Sequence, residues 1–215
     1  MRIKAVFFDV GETLVDESRD WGEWADYLGV SRFSFYAALG AVIARGEHHR
    51  TVFQVVRPDI EFVELRRERE STGDVYAMAT EDIYPDAIPC LKRLRDAGVL
   101  VGIAGNQPIE TEQALRSLGV PADIVASSAS WGVEKPDLAF FERIVAASNG
   151  LHPSEIAYVG DRLDNDVGPA QRAGMVSIFL RRGPWALVQA GSARFSTPLH
   201  TIDDLSALPE FLRRL

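Results

Sequence analysis

Cysteine is almost absent from this 215-residue chain, where Cys90 stands alone. No intrachain disulfide can form and a thiolate zinc cluster is excluded, so a reducing, cytoplasmic setting is expected. Long apolar runs are also missing. The run Ala5-Val6-Phe7-Phe8 is broken at Asp9, short of a secretory segment, and residues 99–104 fall far below the ~20 that cross a bilayer. Neither export nor a membrane partner is expected. Basic charge is scarce: 23 Lys and Arg face 31 Asp and Glu, a formal charge of −8 that repels an extended phosphate backbone and argues against nucleic acid as the main partner. Lysine occurs only at Lys4, Lys92 and Lys135. The rest is an ordinary globular composition, 47% hydrophobic and 25% charged, enough for one domain carrying a smaller insertion.

Residues 3–8 are β-branched and aromatic and lead into Asp9 and Gly11, the pattern of a buried strand that delivers a carboxylate to its carboxyl end. From Pro85 onward two periods alternate. Helices are expected over 86–97, 110–118, 138–147 and 166–173, with Gly98, Gly119, Asn149-Gly150 and Gly174 as stops. Strands are expected over 99–104, 124–126, 156–159 and 176–180, the last clear one. This order predicts an α/β fold, a doubly wound parallel sheet with helices on both faces and ligands at the carboxyl ends of the strands. Between 16 and 84 the spacing is helical, and the stretch holds ten of the twenty aromatic residues, eight arginines and no lysine. Inserted directly after the first strand, it is expected to be a small all-helical cap placed to act as a lid, leaving 1–15 and 85–215 as the core.

Four polar stations fall at successive predicted strand ends: Asp9 in Phe7-Phe8-Asp9-Val10-Gly11-Glu12-Thr13-Leu14, then Gly105-Asn106, Lys135-Pro136, and Gly160-Asp161 with Asn165-Asp166. In order and spacing they resemble the haloacid dehalogenase-like hydrolase superfamily, whose first motif opens with a nucleophilic Asp and whose fourth is an acidic Gly-Asp loop. The resemblance spans the whole core. It implies a Rossmann-like core with a helical cap between the first and second motifs, and hydrolysis through an aspartyl-phosphate on Asp9.

The chemistry explains why these residue types recur together. A carboxylate attacks phosphorus only when its repulsion from the phosphoryl oxygens is screened, and a hard divalent cation does this. Mg2+ is the expected cofactor, with Asp9, the Gly11 carbonyl and Asp161 as ligands and Asp166 close by. Lys135 supplies a compact charge for both Asp9 and the transferring group. Gly105 and Asn106, together with Lys135, are the expected phosphate-binding positions, through main-chain N–H groups where Gly105 has no side chain.

Two positions depart from the phosphatase pattern. Gly11 stands where a second Asp usually protonates the leaving group, and Gly105 stands where a Ser or Thr usually binds phosphate. Glu12 is the candidate replacement acid, against its reading as a solvated loop residue. Phosphonatase chemistry is excluded by the lysine-free insert. The expected function is thus a magnesium-dependent phosphatase of a small phosphorylated molecule, cytoplasmic, acting as monomer or homodimer. Two alternatives stand beside it: a 2-haloacid dehalogenase-type hydrolase, in which Asp9 attacks carbon without metal, and a catalytically weakened protein that binds a phosphorylated ligand or a partner.

Overall fold

The computed structural model describes residues 2–195 and 197–215. The chain divides into two compact units, Met1–Asp16 with Ala79–Leu215, and Glu17–Met78. In chain order the first unit opens with β1 (Ala5–Phe8). The second unit holds α1 (Ser18–Tyr27), α2 (Arg32–Arg45), α3 (Thr51–Val56) and α4 (Phe62–Ser71). The first unit resumes with α5 (Ala87–Asp96), β2 (Leu100–Gly105), α6 (Ile109–Ser117), β3 (Ile124–Ser127), α7 (Ser128–Trp131) and α8 (Leu138–Ala147). It ends with β4 (Ile156–Gly160), α9 (Gly168–Arg172), β5 (Val176–Leu180), α10 (Gly183–Ala190), β6 (Thr201–Ile202) and α11 (Leu208–Arg214).

Among the described residues, six strands form one parallel sheet in the order β3-β2-β1-β4-β5-β6. The central strands are buried along their whole length, as continuous apolar runs in a parallel sheet require. On one face Phe7, Phe140, Phe141, Ile144, Tyr158 and Met175 form a core cluster. Phe140, Phe141 and Ile144 come from a single stripe of α8, which explains why that helix forms where apolar residues recur three and four apart. The helical unit is packed around its own aromatic cluster, in which the Phe53 ring lies 4.8 Å from Trp24 and 4.7 Å from Phe62. Arg69 is buried in this unit, paired with Asp74 at 2.8 Å and set 4.4 Å from the Trp24 ring.

Three expectations need correction. Val176–Leu180 is not the last strand, because the two-residue β6 follows it; two residues are too few for a periodic signal. The helix expected from Asp166 begins earlier as a π-helical turn, Leu163–Val167, which feeds directly into α9. Residues 79–84, expected in the insert, fall in the α/β unit, where Val15 forms an antiparallel bridge with Ile83. Among the described residues no single helix is long and apolar enough to cross a membrane.

Candidate active site

Asp9 follows β1, and the parallel register fixes its neighbours. Phe8 is level with Ile103 of β2 on one side and Val159 of β4 on the other, so both of those strands end beside Asp9. The Asp9 N–H donates to the Val159 carbonyl at 2.9 Å. With β2 and β3 to one side of β1 and β4, β5 and β6 to the other, this is the switch point of the sheet, where open α/β folds bind ligands.

Lys135, expected at a strand end, instead lies beyond both β3 and the short α7 and reaches this point from the loop before α8. Its main-chain N–H donates to Asn106 Oδ1 at 2.8 Å, and its carbonyl accepts from Asn106 Nδ2 at 2.8 Å. This two-way bridge ties the lysine loop to the end of β2. The ammonium lies 2.7 Å from Asp9 Oδ1 and 2.6 Å from Asp166 Oδ1, and 5.5 Å from the centre of the Tyr158 ring. The Tyr158 hydroxyl donates to the Ala104 carbonyl at 2.7 Å. Burial by itself favours a neutral lysine, but the adjacent Asp166 and Asp9 carboxylates outweigh it and hold the ammonium well above its usual range.

Asp166 turns back over the end of β4, where its second oxygen accepts the Arg162 amide at 3.0 Å. Gly160 makes the room, since a Cβ there would collide with that carboxylate. Asp9, Asp161 and Asp166 are all buried and offer oxygens within 4.8 Å of one another. Asp161 Oδ2 is buried without a hydrogen-bond partner. Burial, then the charges of Asp166, Asp9 and Glu12, push the Asp161 carboxyl well above the usual carboxylate range. Burial also raises Asp166, to about 6, against the opposing charge of Lys135. Three convergent carboxylates with an orphaned oxygen fit a hard divalent cation, which would satisfy that oxygen and reverse the local charge imbalance.

Other expected site residues are placed less simply. A Cβ at Gly105 would come within 2.5 Å of Asp9 Oδ1, so the bare α-carbon admits the Asp9 carboxylate in its lysine-bound position. Asn106 spends its side chain on the Lys135 backbone, which leaves phosphate contact to its main chain. Gly11 sits two residues beyond Asp9 and pairs with Val15, so its carbonyl belongs to the same loop. Glu12 is not a solvated loop residue: it is 5% exposed and accepts the Tyr84 hydroxyl at 2.8 Å.

Tyr158 and the Asn106 bridge went unnoticed in the sequence. A tyrosine within an otherwise aliphatic buried strand is a signal for the first, because its hydroxyl must find a partner. Tyr84 and Arg182 carried no such signal, their partners being 72 and 169 residues away.

The site thus consists of a parallel α/β sheet that carries a lysine-paired aspartate and two further carboxylates at its carboxyl edge. The model of the haloacid dehalogenase-like hydrolases matches residues 3–174, a span that includes all four charged residues, and the chain belongs to that family. The glyceraldehyde 3-phosphate phosphatase of Methanopyrus kandleri is 33% identical over 204 residues, covering 85% of this chain and 86% of its own. The chain is thus a hydrolase of the phosphatase type. Among solved structures, a haloacid dehalogenase-like phosphatase from Thermococcus onnurineus superposes with a TM-score of 0.61 at 24% identity, over 98% of both chains. L-2-haloacid dehalogenase from Xanthobacter autotrophicus, with chloropropionic acid covalently bound, gives 0.66 at 20% identity over 98% of both. At these identities the two structures establish the shared fold.

Proposed function

We propose that the chain is a magnesium-dependent phosphatase of a small phosphorylated metabolite with Asp9 as nucleophile. The observation that carries this reading is Asp9 held 2.7 Å from a buried lysine, next to the orphaned Asp161 oxygen. Asp9, Asp161 and Asp166, with the Gly11 carbonyl, would hold the ion, which when bound screens the nucleophile from the phosphoryl oxygens. An Asp9 oxygen attacks phosphorus, the bond to the leaving oxygen breaks with its electron pair, and the phosphoryl group rests on Asp9 as an aspartyl-phosphate. Lys135, already fixed between Asp9 and Asp166, neutralises that group without moving. Water then attacks phosphorus, releasing phosphate and restoring the carboxylate.

Gly11 supplies no proton to the leaving oxygen, so turnover depends on how basic that oxygen is. Acyl and aryl phosphates are the favoured substrates on this ground. Glyceraldehyde 3-phosphate, named for the Methanopyrus relative, is the first alkyl ester to assay. A lid role for the helical unit rests on one ground, its insertion directly after β1.

Assays with Mg2+ on an acyl phosphate, an aryl phosphate, glyceraldehyde 3-phosphate and a 2-haloacid test the reading. Phosphate release that is lost on chelation and in Asp9→Asn is expected. Halide release without metal would put the dehalogenase reading in its place, and ligand binding without any turnover would put the binding-only reading there.

A further inference from the structure

The loop carrying Asp9 and Gly11 folds back on itself. The Thr13, Leu14 and Val15 amides all donate to the Val10 carbonyl, and the Glu12 amide donates to the Val15 carbonyl at 2.7 Å. Glu12 adopts left-handed backbone, φ 53°, a conformation that residues with a side chain hold only when their surroundings enforce it. Two distant segments provide the enforcement. Tyr84 donates its hydroxyl to Glu12 Oε2 at 2.8 Å. Arg182, just beyond β5, donates to the Thr13 carbonyl at 3.0 Å and lies 4.1 Å from the centre of the Tyr84 ring. The same guanidinium pairs with Asp86, whose carboxylate also accepts the Leu205 amide at 2.8 Å. Gly183 closes the arrangement, since a Cβ there would stand 2.5 Å from Glu12 Oε2.

We propose that Tyr84 and Arg182 are positioning residues for the nucleophile loop, Tyr84 acting through Glu12 as a buried strut and Arg182 through the Thr13 carbonyl and the Tyr84 ring, so that Asp9 and Gly11 are held against Lys135 and Asp161. On this reading Glu12 is a strut and not the missing proton donor: its Oε2 accepts the Tyr84 hydroxyl and lies against Gly183. A strut and a proton donor differ in what their removal does to leaving-group dependence. Loss of a strut misplaces the nucleophile for every substrate alike, and misplacement by about 1 Å lowers turnover by up to ~10²-fold. Loss of a proton donor lowers the rate selectively for basic leaving groups, by roughly 10²–10⁴-fold, and spares activated ones.

The test compares Tyr84→Phe and Glu12→Gln with the unmodified protein in two independent readouts. The first is kcat on an aryl phosphate and on an alkyl phosphate, which rests on the phosphatase reading. The second is amide hydrogen exchange across residues 9–15, which needs no activity. Expected results are a parallel fall in kcat on both substrates in Tyr84→Phe, about tenfold or more with KM nearly constant, and faster exchange of the loop amides. Glu12→Gln, which can still accept the Tyr84 hydroxyl, should fall by less and by the same factor on both substrates. A selective loss of alkyl phosphate turnover in Glu12→Gln overturns the proposal and makes Glu12 the acid. Unchanged loop exchange in Tyr84→Phe also overturns it, whether or not the unmodified protein hydrolyses any phosphate.

Discussion

Replacing Lys135 with methionine keeps most of the side chain's volume against Tyr158 and removes the ammonium that bridges Asp9 and Asp166 at 2.7 and 2.6 Å. Three buried carboxylates, those of Asp9, Asp161 and Asp166, are then left without that charge. Removing one partner of a buried ion pair costs roughly 3–5 kcal/mol, because the remaining charge is already desolvated. For a chain of this size each kcal/mol shifts Tm by about 2–4 °C, so a fall of roughly 6–20 °C is expected in metal-free protein. Scanning calorimetry in chelator measures it directly. Adding Mg2+ should recover part of the loss, since a cation among the same carboxylates replaces some of the missing charge. Lys92→Met is the control: Lys92 is exposed, and its loss should move Tm by no more than about 2 °C. A Lys135→Met protein as stable as the unmodified one would show that these carboxylates do not depend on the lysine and refute the electrostatic account of the site.

Three further outcomes are expected. Gly11→Asp should raise alkyl phosphate turnover by roughly 10²–10⁴-fold and aryl phosphate turnover far less, and equal gains on both would show that position 11 does not reach the leaving oxygen. Asp161 and Asp166 have folded pKa values above the ordinary 3.8, so they favour the fold below that value and weaken it as pH rises through their folded values. A divalent cation needs them deprotonated, so the rise in Tm on adding Mg2+ should be larger at about pH 7.5 than at about pH 5; the reverse order would remove them as ligands. Burial pushes the Cys90 thiol up to about 12 and leaves it 1% exposed, so a disulfide reagent should react with it only as fast as the protein opens, and rapid labelling of the folded protein would contradict this.

The core was legible because its signals are local. A parallel sheet buried on both faces writes its strands as short apolar runs, and the carboxyl-terminal polar residue of each run then marks the functional edge. Asp9 and Asp161 are legible in this way, Lys135 and Asp166 only through the order and spacing of the motifs, since both lie beyond the strand ends, and the structure brings all four together. β6 was not legible, since a two-residue strand has no period. The burial of Glu12 was hidden for a different reason: its partner Tyr84 is 72 residues away, and nothing near Glu12 in the chain records that contact. The role of Gly105 was visible only as a missing hydroxyl. The structure adds that a side chain there would overlap the position of the nucleophile.

The central claim is that Asp9 carries the phosphoryl group. Mixing the protein with Mg2+ and an acyl or aryl phosphate, quenching in acid within the first turnover and sequencing the peptides by mass spectrometry tests this most directly. The account predicts one phosphoryl group on the peptide containing Asp9, discharged by hydroxylamine and absent from Asp9→Asn. Turnover of the same substrate with no label on Asp9, or with label on another residue, would contradict it.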